Sequence, residues 1–163
     1  MSIRVELAEP ADLPAILALL AESGLPEAGL KDHVGTLLLA AKGGENGRLL
    51  GCGALEIYGS NGLLRSVAVA EDARGRGLGD RITRATLALA SKLELSEVYL
   101  LTETAQAFFA RHGFLQTERA TVPTAVCRSV EFSSACPASA VAMVKRFGNK
   151  EAGEAGEVER KTN

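Results

Sequence analysis

The stretch that decides the fold is Leu64 to Asp80, which reads LRSVAVAEDARGRGLGD. Its first part, residues 64–70, is largely apolar and predicts a β-strand that leads through a turn with glycines at 75, 77 and 79 into a helical pattern. Such glycines let the backbone approach a ligand closely and aim successive N–H groups at one point. A helix start adds unpaired N–H groups and about half a positive charge. The turn therefore predicts a phosphate or pyrophosphate site, reinforced by Arg74 and Arg76.

Three kinds of phosphate-binding site contain such a turn: a Walker loop, a dinucleotide-binding fingerprint and a site for coenzyme A. A Walker loop ends in Gly-Lys-Ser/Thr, whereas Leu78, Gly79 and Asp80 stand here. A dinucleotide fingerprint follows the first strand of its domain, whereas this turn follows the fourth predicted strand. The third kind of site binds the pyrophosphate of coenzyme A. A glycine-rich turn that binds nothing is the structural alternative.

Outward from this turn, the pattern predicts one α/β domain over residues 1–147, with a mixed sheet and helices on both faces. Helices are predicted from Pro10 to about Glu22 and over 27–34, 77–92 and 105–112. The predicted strands cover 3–7, 36–42, 48–58, 63–70, 98–101, a segment from Phe114 onward, and 140–147. Residues 122–137 are predicted to be irregular, and the Gly-, Ala-, Glu- and Lys-rich segment 148–163 is predicted to be a disordered charged tail.

The composition excludes several classes of protein. The chain has 163 residues, 47% of them hydrophobic and 23% charged, which suits one globular domain. With a net charge of -2 and no basic cluster, we expect no nucleic-acid partner. No apolar run approaches the roughly 20 residues that span a membrane, and the first residues lack the apolar core of a signal peptide, so we expect a cytoplasmic protein. Cys52, Cys127 and Cys136 match no metal motif, so we expect free thiols and no metal.

Two landmarks resemble the GCN5-related N-acetyltransferase (GNAT) superfamily. The first is Val67-Ala68-Val69 followed by the glycine turn, and the second is the aromatic segment 108–112 followed by Gly113 and Phe114. The resemblance spans about residues 3–147. Within the superfamily, segments 51–59, 64–69, 99–102 and 136–140 are most similar to the arsenic-resistance N-acetyltransferases, which resemble the acetyltransferase domain of N-acetylglutamate synthase.

This resemblance implies a GNAT fold, acetyl-CoA as co-substrate, and a small-molecule amine as acceptor. The implied acceptor is an amino acid or an amino-acid-like arsenical. Relatives are commonly dimers, so a homodimer is an open expectation. The resemblance also implies that the backbone of Val67 and Val69 holds the pantetheine, and that the following N–H groups hold the pyrophosphate: those of Gly75, Arg76, Gly77, Leu78, Gly79 and Asp80.

Catalysis by such a protein needs an oxyanion donor and a proton acceptor. A backbone N–H near Val67 is the natural oxyanion donor. Many relatives place a tyrosine where this chain has Phe109, which cannot protonate the leaving thiolate, but a thiol with a pKa of about 8.5 leaves without much help. We expect Glu56, among apolar neighbours on the third strand, to be the base, although an exposed strand glutamate is an equal alternative. Glu103 is the second choice.

An amino-acid substrate brings a carboxylate, which a guanidinium group binds well. Strand alternation predicts that Arg65 lies on the same side as Val67 and Val69, and Arg128 lies in the irregular segment where relatives keep substrate loops. Pairing of Arg65 with a nearby acid and solvation of Arg128 are the alternatives. Two other functions stay open: an acetyl-CoA sensor without turnover, and an arsenical binder that uses Cys127 and Cys136.

Overall fold

The computed structural model describes residues 2–43 and 47–148. They form a seven-stranded sheet in the order β1-β2-β3-β4-β5-β7-β6, in which only β4 and β5 pair in parallel. The α/β mixed-sheet prediction is therefore confirmed. The strands are β1 Ile3–Leu7, β2 Leu37–Lys42, β3 Leu49–Tyr58, β4 Asn61–Val69, β5 Glu97–Thr102, β6 Leu115–Gln116 and β7 Val141–Arg146.

Four α-helices and several tighter turns connect these strands in the described part of the chain. The helices are α1 Leu13–Glu22, α2 Leu78–Lys92, α3 Gln106–Ala110 and α4 Thr124–Cys127. A 3-10 segment, Leu30–Thr36, leads into β2, and a π-helical turn, Glu131–Ala135, follows α4. No helix among the described residues is long and apolar enough to cross a membrane.

Helices cover both faces of the sheet. Leu55, Leu64 and Leu100 pack with α2 and α3 in one cluster, whereas Leu63 and Tyr99 pack with α4 in another. Leu63 and Leu64 are neighbours in one strand, so these clusters lie on opposite faces. Glycines let α2 approach β3 closely, since a Cβ on Gly53 would lie 2.8 Å from Ile82 Cγ2.

A one-residue bulge interrupts β4 in the middle of the sheet. Cys52 pairs with Ala68 and Ala54 pairs with Arg65, so β4 carries one residue more than β3 over this interval. Ser66 has φ 61°, in the left-handed region that non-glycine residues rarely adopt. The bulge reverses the alternation of side chains, which has a direct consequence for Arg65 below.

The parallel strands β4 and β5 separate soon after they meet. Their pairing runs only from Asn61 with Glu97 to Leu63 with Tyr99, although β4 continues to Val69 and β5 to Thr102. Beyond Leu63 the two strands splay and leave a cleft between them. This splay positions the candidate site.

Several local predictions differ from the observed elements. The expected helix over 27–34 is the 3-10 segment Leu30–Thr36, and the strand expected from Phe114 has only two residues. The segment 122–137 is more ordered than expected, because it contains α4 and the π-helical turn. The predicted tail covers residues 148–163. Gly148 is exposed, and residues 149–163 lie outside the described residues.

Candidate active site

The cleft between the splayed strands has a volume of about 1180 Å³. Residues 74–80, except Arg76, line it at one end, hereafter the loop end. At the other end it is lined by Arg65, Glu131 and Cys136 with residues 23–26, hereafter the ion-pair end. The walls between are β4, including Val67 and Val69, and residues 100–105, 108 and 109.

The loop end presents backbone N–H groups in a row. Gly75 and Gly77 have φ values of 81° and 77°, which glycine adopts without strain. The first backbone bond of α2 is donated by the Arg81 N–H to the Gly77 carbonyl at 3.1 Å. Within the described part of the chain, the N–H groups of residues 75–80 donate to no protein acceptor. Unpaired donors at a helix start fit the pyrophosphate of coenzyme A.

The charged side chains around this loop point to different parts of the structure. Arg74 lines the cleft, and its Nε donates to the Val69 carbonyl at 3.0 Å. The side chain of Asp80 turns toward α3, where an oxygen lies 2.8 Å from His112 Nε2. This hydrogen bond and nearby Arg111 hold the pKa of Asp80 below its usual range, so the carboxylate stays ionised.

The side chain of Arg76 does not line this cleft. It borders a second concavity of about 490 Å³, whose other basic side chains are Lys42, Arg48 and Arg81. The predicted reinforcement of the loop by an arginine side chain therefore has a geometric basis in Arg74 alone. The Arg76 N–H remains part of the row.

The wall formed by β4 has an open backbone edge. Because β5 pairs with β4 only as far as Leu63, the edge facing β5 has no strand partner at residues 64–69 within the described chain. Val67 and Val69 lie on this wall. An extended pantetheine chain fits beside such an edge as a substitute strand.

The ion-pair end centres on Arg65, whose side chain is 0% exposed. Its Nη1 donates to the Ala28 carbonyl at 2.8 Å and to Glu56 Oε2 at 3.0 Å, its Nη2 donates to the Pro26 carbonyl at 3.0 Å, and its Nε donates to Ser66 Oγ at 2.9 Å. Glu131 Oε2 lies 3.6 Å from Nη2. The guanidinium thus joins three separate segments of chain to the bulge.

The expectation that Arg65 shares a side with Val67 is wrong. A Cβ on Gly53 would point toward α2 and would lie 3.7 Å from Val67 Cγ2, so Val67 is on the α2 side of the sheet. Ala54, the next residue, faces the opposite side, and so does its pairing partner Arg65. The bulge causes this reversal, because the extra residue shifts the alternation between Arg65 and Val67. A substrate-carboxylate contact by Arg65 remains a prediction, and four of its five N–H groups already have protein acceptors.

Glu56 lies behind the wall of the cleft rather than on it. It is 1% exposed and does not line the cavity. Besides Arg65, its oxygens accept a hydrogen bond from Tyr58 and lie 3.5 Å from His33 Nε2. Burial and then Glu56 raise the pKa of Tyr58, which therefore stays a donor. The base role of Glu56 stays a prediction.

The other predicted residues are scattered. Glu103 lines the cleft and is exposed, whereas Arg128 is exposed and does not line it. Phe109 lines the cleft and packs edge-on against Phe108 and Phe114. Tyr99, which the sequence does not predict as a site residue, is buried outside the cavity, and its hydroxyl donates to Glu97 Oε1 at 2.7 Å.

Sequence reasoning missed Glu131. It lies in the segment expected to be irregular, is 4% exposed, and lines the cleft beside Cys136. The Sγ of Cys136 donates to Glu131 Oε1 at 3.3 Å, whereas Cys127 Sγ donates to the Val122 carbonyl at 3.6 Å, so the two thiols have different partners. Glu131 stands out only through its contact with Arg65, which is distant in sequence, and no local sequence pattern predicts that contact.

A sheet whose parallel strands splay beside a glycine-rich helix start defines an acyl-CoA-dependent acyltransferase domain. The chain belongs to the acetyltransferase (GNAT) domain family, whose model matches residues 34–116. The family uses acetyl-CoA as co-substrate, which agrees with the donors at the loop end.

Relatives of known structure or function agree with this assignment. The chain is 39% identical over 94 residues to an amino-acid acetyltransferase of Mycobacterium tuberculosis, a match that covers 55% of this chain and 53% of the relative. It therefore matches about half the length of that curated relative. A Mycobacterium tuberculosis protein solved in complex with CoA and NLQ is 29% identical, with a TM-score of 0.75, over 88% of this chain and 99% of the other.

The N-acetylglutamate synthase of Neisseria gonorrhoeae, solved with coenzyme A and N-acetyl-glutamate, shares the fold. Its TM-score is 0.74 at 22% identity, and the match covers 90% of this chain and 35% of the synthase chain.

Proposed function

We propose that this protein transfers an acetyl group from acetyl-CoA to the amine of an amino acid or an amino-acid-like compound. The observation that carries the proposal is the cleft itself, with unpaired N–H donors at one end and a buried charged cluster at the other. The amino-acid acceptor is supported by the likeness to the amino-acid acetyltransferase, which is 39% identical over the matched part.

Each part of the cleft has a role in this proposal. Acetyl-CoA supplies an activated thioester. The N–H groups of residues 75–80 and the side chain of Arg74 bind the pyrophosphate, and the open edge of β4 orients the pantetheine. The Val67 N–H, next to the bulge, stabilises negative charge on the carbonyl oxygen during attack. Bound in this way, the thioester lies between the strands, and the acceptor amine enters from the ion-pair end.

Thiol release tests the proposal. Acetyl-CoA is incubated with the protein and the twenty amino acids in turn, together with amines that lack an α-carboxylate, and products are identified by mass spectrometry. We expect turnover with at least one amino acid and a mass increase of one acetyl group on it. Binding of acetyl-CoA without turnover of any acceptor would favour the sensor function, for which Phe109 at the usual tyrosine position is the supporting feature.

An amino-acid-like arsenical belongs in the same panel. Its support is the sequence likeness of segments 51–59 and 136–140 to arsenic-resistance N-acetyltransferases. If it is acetylated faster than every amino acid, the protein acts in arsenic resistance through the same cleft. Arsenic tolerance that persists after Cys127 and Cys136 are both replaced by Ser would exclude the thiol-binding alternative.

A further inference from the structure

The carboxylates near the cleft differ in what they can offer an amine. Asp80 is at the loop end and is engaged by His112 and Arg111. Glu103 is exposed to solvent, and Glu56 lies behind Arg65, outside the cavity. Among the described residues, Glu131 is the one buried carboxylate that lines the cleft.

The oxygens of Glu131 are only weakly engaged. Oε1 accepts from the thiol of Cys136 at 3.3 Å, and a thiol is a weak donor. Oε2 lies 3.6 Å from Arg65 Nη2, which is too long for a hydrogen bond. Arg65 makes its short contacts elsewhere, with Glu56 and backbone carbonyls. Glu131 therefore retains lone pairs for a further donor, such as an ammonium group.

The backbone holds this carboxylate in place. Glu131 begins the π-helical turn, a rare conformation that is frequent at functional sites. The Cys136 N–H donates to the Glu131 carbonyl at 3.1 Å, and the Phe132 N–H donates to Ser129 Oγ at 3.2 Å. The turn thus closes on itself and fixes the position from which the side chain enters the cleft.

We propose that Glu131, rather than Glu56, binds the acceptor ammonium group and takes its proton. This inference rests on the proposed function and names the residue that acts on the amine. The ammonium nitrogen loses a proton to the Glu131 carboxylate, and the free amine attacks the thioester carbon. The new N–C bond forms and the C–S bond breaks. The thiolate of coenzyme A leaves and takes up the second proton released by the nitrogen.

The electrostatics of the cluster agree with this role. Burial raises the pKa of Glu131, and Glu56 raises it further, whereas Arg65 and the Cys136 thiol lower it. A carboxylate with a raised pKa is a stronger base than an exposed one. Glu56 and Glu131 share the single guanidinium of Arg65. When both carboxylates are ionised, these three side chains carry a net negative charge that attracts a cation.

The test compares Glu131→Gln, Glu131→Asp and Glu56→Gln, with kcat and kcat/KM measured from pH 5 to 10 on the best acceptor of the panel. In the wild type, kcat/KM falls as the pH drops through the raised pKa of Glu131. Glu131→Gln should lose about 100-fold in kcat at pH 7, lack this acidic fall, and recover at high pH where the amine deprotonates unaided. Glu131→Asp should keep the fall at a reduced rate. Acetyl-CoA affinity, measured by calorimetry, should be unchanged in both.

Glu56→Gln is the matched control, because it removes the other carboxylate of the same guanidinium. It should keep an acidic fall, moved to lower pH than in the wild type, because Glu56 no longer raises the pKa of Glu131. If Glu131→Gln does not fold, the test rests on Glu131→Asp. The reduction in kcat relative to the wild type must then be larger in Glu131→Asp than in Glu56→Gln.

Several results would overturn the inference. Wild-type kinetics in Glu131→Gln at pH 7 remove Glu131 from the reaction while the proposed function stands. Loss of the acidic fall in Glu56→Gln alone assigns the proton to Glu56. Acetylation of carboxylate-free amines but of no amino acid contradicts the proposed acceptor. The kinetics of the Glu131 variants are then measured with those amines. Absence of turnover with every acceptor contradicts both proposals.

Discussion

The loop end and the ion-pair end of the cleft are built from different parts of the protein. At the loop end, the groups proposed to bind the pyrophosphate are backbone N–H groups of one continuous stretch, residues 75–80, which donate to no acceptor within the described chain. At the ion-pair end, Arg65, Glu56 and Glu131 come from β4, β3 and the π-helical turn, and side chains make the contacts. A site made of consecutive backbone groups tolerates side-chain changes but not a blocked backbone. A site made of buried charges has the opposite sensitivity.

The largest expected effect comes from blocking the backbone at the loop end. Gly77→Val places a β-branched residue at φ 77°, so the turn must change shape and the N–H row is lost. We expect calorimetry to detect no acetyl-CoA binding. Gly59→Val is the control, because Gly59 has φ 64° and equally open surroundings but lies in the β3–β4 hairpin, away from the cleft. It should lose stability and keep its affinity. Equal loss of affinity in both variants would mean that strain alone explains the result.

The next effect concerns the buried charges. Arg65→Met leaves Glu56 buried without its guanidinium partner, which should lower the free energy of unfolding by about 3–5 kcal/mol in a urea titration. Arg65→Met combined with Glu56→Leu should recover much of this loss, since neither charge is then left unpaired. If the double variant is no more stable than Arg65→Met, the coupling between these two side chains is not what stabilises this end.

Removing a side chain at the loop end should have a smaller effect. Arg74→Ala should weaken acetyl-CoA binding by about 1–2 kcal/mol, as expected for one charge-assisted contact, and the loss should shrink at high salt. Arg76→Ala is the matched control, because its side chain borders the second concavity and not the cleft. A larger loss in Arg76→Ala than in Arg74→Ala would place the phosphates on the other side of the loop.

The smallest effect is the pH dependence of stability at Asp80. Because His112 and Arg111 lower the pKa of Asp80 in the folded state, the stabilisation is present above the unfolded pKa, about 3.9, and is lost as the pH falls through the lowered value. Asp80→Asn should therefore have a lower Tm than the wild type near neutral pH. The two proteins should converge in acid, and a constant difference down to pH 2 would contradict the pairing.

The same contrast explains what could be predicted from sequence. The glycine turn is local, so its spacing after the preceding strand, taken with the order of the other elements, predicted the fold, and it also indicated an anion site, which stays a prediction. Arg65 could not be placed, because the bulge occurs at Ser66, which carries no glycine signal for its φ of 61°. Glu131 lies far along the chain from Arg65 in a segment without periodicity, and the contact between the two side chains forms only in the tertiary structure.

The central claim is that the N–H row of the loop binds the pyrophosphate inside the cleft between β4 and β5. Titration of acetyl-CoA into 15N-labelled protein, followed by the amide resonances, tests it most directly. We predict that the largest changes in amide chemical shift fall on residues 75–80 and 67–69, with little change at Lys42 and Arg48. Changes concentrated at those two basic residues, with residues 75–80 unmoved, would contradict the claim and assign the nucleotide to the second concavity.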